Sequence, residues 1–230
     1  MNWLTRWLPR GLDSEHRQRR DAWRSLPTVG LDTPLSALRS IVVDLETTGL
    51  HPRRDRILAI GAVAVTGRSL GLGEGFSAVL RQPFSGSRRN VVVHGITPGQ
   101  QAQGQHPRDA VLEFLEYAGA APLVAFHAGF DQAFLQRAVR RRLRTGLRNR
   151  FLDLAWLLPA LVPDQPPHRR GLDDWLQRHG IAVHGRHTAM GDAMATAELY
   201  LLALALAANR ASTLGDLLRL AEAEAHRAMH

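Results

Sequence analysis

Asp44 and Glu46 stand two residues apart at the end of the apolar run Ile41-Val42-Val43. On an extended strand that spacing puts both carboxylates on one face, roughly 7 Å apart along the backbone, close enough for the side chains to converge on one cation. Two unpaired carboxylates on a buried strand are costly unless something positive sits between them. Thr47, Thr48 and Gly49 follow as a polar turn beside that cation. Asp131 begins a helical stripe just after the apolar segment Leu123 to Phe126. A strand that runs directly into a helix puts it at a carboxyl edge of a sheet, where sites in α/β folds collect. Asp192 opens a late apolar helix, and His187 precedes it by five residues in a loop rich in Gly and His. Taken singly, each residue is ordinary: an aspartate at a helix start is usually a cap, and a loop histidine is usually solvated. Together, four carboxylates and an imidazole lie at the edges of elements that one sheet can gather. Such an oxygen-rich site suits Mg²⁺ or Mn²⁺.

The elements that must position these residues are legible from Arg39 onward. Ile41 to Leu45, Ile57 to Val65 and Phe76 to Leu80 read as three strands. Gly71, Gly73 and Gly75 lie between the last two and suggest a hairpin turn. Helices are expected over Asp109 to Tyr117, over Phe130 to Val139 with arginines closing its end, over Leu172 to His179, and over Leu214 to Met229. Strands are expected over Pro122 to Phe126 and Phe151 to Leu154. Asp192 to Ala208 is apolar nearly all round, which marks a buried helix. Three early strands followed by alternating strands and helices indicate an α/β domain with a mixed sheet flanked by helices.

Residues 1 to 39 differ and read as a basic, Trp-containing extension ahead of a domain over 40 to 230. Trp3, Leu4, Trp7 and Leu8 share one face of a short helix; Pro9, Gly11 and Asp13 break it, and Arg17, Arg19, Arg20 and Arg24 surround Trp23. Pro27, Gly30 and Pro34 read as linker. The tryptophans dock on the domain itself, meet a partner protein, or meet a membrane surface.

Composition narrows the chemistry. Among 230 residues there is no cysteine, which excludes disulfides, thiol catalysis, zinc–thiolate sites and iron–sulfur clusters. The net charge is +8 and the pI about 11.3, which favours a polyanionic partner such as nucleic acid. All 29 basic residues are arginine, however, a bias that genome composition also produces. The longest apolar run is too short for a bilayer, and no secretory h-region is present, so the expected location is the cytoplasm.

Three segments, IVVDLETTGL, FHAGFD and HTAMGD, resemble in order the three motifs of the DEDDh 3′–5′ exonucleases, the family related to the proofreading subunit of bacterial DNA polymerase III. VHGIT at Val93 to Thr97 and DAMATAELY from Asp192 extend the likeness to about residues 40 to 208. The resemblance implies a ribonuclease-H-like fold. It matches Asp44, Glu46, Asp131 and Asp192 to the four metal-binding carboxylates and His187 to the catalytic histidine. The tyrosine subtype would have a tyrosine where Thr188 stands. Thr47, Thr48 and His94 resemble positions that line the terminal nucleotide pocket. The second motif usually reads H-N-A-x-F-D, whereas Phe126 and His127 fill its first two places here.

The mechanism implied is two-metal hydrolysis of a phosphodiester. Asp44 would bridge two ions, Glu46 and Asp192 would hold the one beside the attacking water, and Asp131 the other. His187 would take the proton from that water. The expected substrate is a single-stranded 3′ end, DNA favoured over RNA, with nucleoside 5′-monophosphates released. Arg137, Arg140 and Arg186 are candidates for phosphate contacts. Alternatives are an exoribonuclease acting on RNA ends or short oligoribonucleotides, because the metal motifs do not read the 2′ position, a non-catalytic nucleic-acid-binding module, or an accessory subunit that docks on a polymerase or repair complex through its N-terminal residues.

Overall fold

The computed structural model describes residues 12–82, 95–162, 171–182 and 185–229. Its centre is a five-stranded sheet. β1 (Arg39–Thr47), β2 (Ile57–Thr66) and β3 (Ser69–Val79) form an antiparallel meander, and β4 (Leu123–Ala125) and β5 (Phe151–Asp153) add to it in parallel, giving the order β3-β2-β1-β4-β5. The expected mixed sheet is present, and helices cover both faces.

Alternation along β1 sorts its side chains between the two layers. Ile41, Val43 and Leu45 face a core shared with α3 (Pro107–Ala118) and α4 (Ala128–Leu143). Val42 faces the opposite core, built with α5 (Leu154–Leu161), α6 (Leu172–Arg178), α7 (Ala189–Leu206) and α8 (Leu214–Ala228). A short α2 (Pro98–Gln103) starts at Thr97, whose side chain and that of Gln100 form a reciprocal cap. Helix α7 is long and apolar enough to cross a membrane by length and composition alone. Here it is a core helix, mostly buried against β1 and β2. Its register is held by a buried hydrogen bond of 3.0 Å between Tyr200 and Ser40 at the start of β1.

One expectation needs correction. The glycines at 71, 73 and 75 are not a turn; they lie inside β3. The hairpin turns at Gly67 and Arg68, between the paired residues Thr66 and Ser69, and Gly67 takes the positive φ that its first turn position demands. Gly75 instead marks a close approach: a side chain there would press on Met190 of α7. Asp13 is the N-cap of α1 (Ser14–Ser25) and accepts from the His16 amide at 2.9 Å.

Helix α1 packs on α3. Trp23 is buried and its indole N–H donates to the Gly119 carbonyl at 3.0 Å; His16 meets Asp109 at 2.6 Å, and Arg19 pairs with Glu116. The segment read as linker is stitched to the start of α8 by backbone bonds from Leu35 to Ser212, Leu214 to Thr33 and Gly215 to Leu31. Trp3, Leu4, Trp7 and Leu8 lie outside the described residues.

Candidate active site

β4 is three residues long and pairs with β1 only at Ile41 and Val42. Beyond that point the edge of β1 is open, and the carboxylates gather there. Asp44 and Glu46 share the face that looks toward α7, as their spacing requires. A register shift between Glu46 and Thr47 ends the regular ladder immediately after them.

Asp192 arrives from α7. The residue opposite Asp44 on β2 is Gly61, and a Cβ there would sit 2.2 Å from the Ala189 carbonyl carbon. The bare glycine backbone lets the first turn of α7 lie directly on the sheet. Thr188 caps that turn by accepting from the Gly191 amide, so Asp192 does not serve as the cap. One oxygen each from Asp44, Glu46 and Asp192 come to lie within 4.8 Å of one another.

Asp131 stands beside this trio, in the first turn of α4. His127 turns the chain into that helix with φ +60 and ψ +49, a left-handed conformation in which Asn, Asp and His are enriched. That geometry accounts for a histidine in the second place of FHAGFD. Its amide donates to Asp153 at 3.0 Å. Asp131 is 3% exposed and is not a helix cap either; backbone hydrogen bonds from Leu45 and from its own amide offset part of its burial.

This crowding raises the carboxyl pKa values. Burial pushes Asp44 well above the usual carboxylate range, and the neighbouring charges of Asp131 and Glu46 push it further. Burial lifts Glu46 to about 7. Asp131 rises well above its ordinary value through burial, with Asp153 adding to the effect. The cation among them is Arg186, which bonds Asp192 and also pairs with Asp173 at 2.7 Å. It opposes the rise at Asp44 and Glu46 without cancelling it. A cluster left short of positive charge and made only of carboxylate oxygens fits hard divalent cations.

The other expected residues divide. His187 stands at the mouth with φ +62; its amide donates to Asp192 at 3.3 Å, and its ring has no hydrogen-bond partner among the described residues. Thr47 and Thr48 adjoin the trio, but both hydroxyls hold the loop after β1, Thr47 donating to the Gly49 carbonyl and Thr48 to Asp55. His94 lies outside the described residues. Ile96, from the same VHGIT segment, packs with Leu58 and Ala189 near the start of α7. Two contributors escaped the sequence reading. Asp153 ends a strand that runs straight into a helix, the same signal that marked Asp131. Gly61 carried no signal, since a lone strand glycine has many uses.

The exonuclease family model (RNase_T) matches residues 41–200, from the first residues of β1 through most of α7. The chain belongs to the exonuclease family. A DNA polymerase III subunit epsilon-like protein of Rhodobacter capsulatus is 35% identical over 81% of this chain and 27% of its own length. The DNA polymerase III subunit epsilon of Rickettsia typhi is 31% identical, with 78% of each chain covered. Among solved structures, E. coli exonuclease I in complex with a dT13 oligonucleotide superposes with a TM-score of 0.63 at 20% identity, over 75% of this chain and 42% of that one. The chain thus spans about a quarter of the Rhodobacter relative and under half of exonuclease I. The ribonuclease-H-like exonuclease fold is shared, and the domain is of the 3′–5′ exonuclease type, with the acidic cluster that divalent metal requires.

Proposed function

We propose that the protein is a metal-dependent 3′–5′ exonuclease of the DEDDh type that hydrolyses single-stranded DNA ends in the cytoplasm and releases nucleoside 5′-monophosphates. The observation that carries this reading is the convergence of Asp44, Glu46 and Asp192 within 4.8 Å, with Asp131 beside them. Two Mg²⁺ or Mn²⁺ ions held by these four carboxylates would supply charge stabilisation to the phosphodiester and lower the pKa of the attacking water.

The chain's own residues do the rest. His187, exposed and with no ring hydrogen bond among the described residues, accepts the proton of the attacking water at an imidazole nitrogen. Arg186, paired with both Asp192 and Asp173, would stay beside the site through Asp173 with Asp192 holding a metal. Thr47 and Thr48 border the terminal nucleotide, the role the resemblance also implies for His94. The left-handed turn at His127 positions Asp131. The polymerase III relatives support a role beside a polymerase or repair complex, with the residues ahead of α1 as the contact, and exonuclease I bound to dT13 supports DNA as the substrate.

The test is incubation of the purified protein and Mn²⁺ with 5′-labelled single-stranded DNA and the matched RNA. The expected result is stepwise shortening of DNA from the 3′ end, faster than of RNA. Asp44→Ala should lose the activity while keeping its fold by circular dichroism. A wild-type protein that leaves both substrates intact, or an Asp44→Ala variant of undiminished rate, would reject the reading. Preference for RNA would reject the substrate and keep the chemistry.

A further inference from the structure

The arginines away from the carboxylates are not evenly spread. Helix α4 presents Ala133, Gln136, Arg137, Arg140 and Arg141 along one stripe, and the loop after β1 lies against it with Pro52 and Arg53. Between them runs a groove of about 430 Å³. Arg137, expected to meet phosphate, does something else: its guanidinium donates to the carbonyls of Pro52 and Asp55 and fastens the loop to the helix. That leaves Arg53, Arg140 and Arg141 exposed around the groove, in no ion pair among the described residues. The loop's one acid is turned inward, since Asp55 accepts from the Thr48 hydroxyl and the His51 amide. From Gln132 to Arg144 the helix carries no acid.

We infer that this groove binds backbone phosphates of the substrate strand several nucleotides 5′ of its 3′ end. The inference rests on the exonuclease reading for its direction. Both walls are continuous with the carboxylate cluster. The loop leaves β1 right after Glu46, and Arg140 lies nine residues beyond Asp131 on the same helix, about 13 Å along its axis. A strand stacked at the roughly 3.4 Å rise of duplex DNA covers that distance in about four nucleotides, and an extended single strand in about two. Guanidinium groups suit phosphate oxygens because their planar forks bond two at once. Arg137 is a positioning residue here, not a phosphate contact.

The experiment compares wild type with Arg140→Gln/Arg141→Gln and with Arg53→Gln. Binding of 5′-fluorescein dT12 and dT2 is followed by anisotropy in EDTA across a salt series. Cleavage of both oligonucleotides with Mn²⁺ is followed separately. For dT12 the double variant should bind about tenfold more weakly at low salt, and its log-affinity against log-salt slope should fall by about 1.4, two phosphates' worth. For dT2, affinity and kcat should match wild type, because the strand ends before the groove. Unchanged dT12 affinity and slope in both variants would overturn the inference, as would equal losses on dT2 and dT12. If wild type binds dT12 but never cleaves it, the exonuclease reading fails, and the groove is still judged by the anisotropy data.

Discussion

Glu46→Gln should make the metal-free protein more stable at pH 8 and leave it nearly unchanged at pH 5. Burial lifts the Glu46 pKa from its ordinary 4.5 to about 7. The folded state therefore holds a proton that the unfolded chain has released, and stability falls as pH rises from about 4.5 through about 7. A shift of that size would correspond to about 3 kcal/mol for a closed-off group. Glu46 is partly open to solvent, so about half of that, roughly 1.5 kcal/mol, is the fair expectation. For a chain of this length it equals about 3–6 °C in Tm. Asp44 moves the same way, since part of its rise comes from Glu46. The assay is thermal melting of both proteins in EDTA at pH 5 and pH 8, taking the difference between proteins at each pH so that other titrating groups cancel. Adding Mn²⁺ at pH 8 should raise the wild-type Tm more than that of the variant. A difference no larger at pH 8 than at pH 5, or a variant less stable at pH 8, would refute the reasoning.

His187→Ala should lower the rate by roughly 10²–10⁴ and leave Mn²⁺ binding by calorimetry nearly unchanged; loss of metal binding would show that the histidine is a ligand. Gly61→Ala forces α7 off the sheet and should cost about 1–3 kcal/mol by overpacking, with a fall in activity larger than its loss of stability explains; a fully active variant with wild-type Tm would refute the close-approach argument. Trp23→Ala removes a buried side chain and one hydrogen bond and should cost about 3–5 kcal/mol while kcat on short oligonucleotides is unchanged; an unaltered melting curve would show that α1 contributes nothing to the domain.

The site was legible where local periodicity alone sets geometry. Asp44 and Glu46 share a face because strands alternate, and Asp192 could be placed because Asp192 to Ala208 is apolar all round. Asp131 was found by its strand-to-helix junction, and Asp153 by the same logic could have been. What escaped depends on distant partners. Gly61 matters only because Ala189 lies on it. The glycines of β3 looked like a turn because nothing local says that Met190 of α7 will come up against Gly75. Arg137 looked like a phosphate ligand until the loop carbonyls it binds were in view. The left-handed backbone that makes His127 tolerable belongs to a turn whose shape is set by where β4 stops.

Nearly the whole matched region separates Asp44 from Asp192, and the meander that carries Asp44 can pair long before α7 exists. Domains fold during synthesis from the N-terminal side, and contacts so distant in sequence form late. A nascent chain whose α7 is still inside the ribosome holds only part of the carboxylate set, however well its first strands have folded. An exonuclease domain assembled this way completes its carboxylate set only when α7 closes on the sheet.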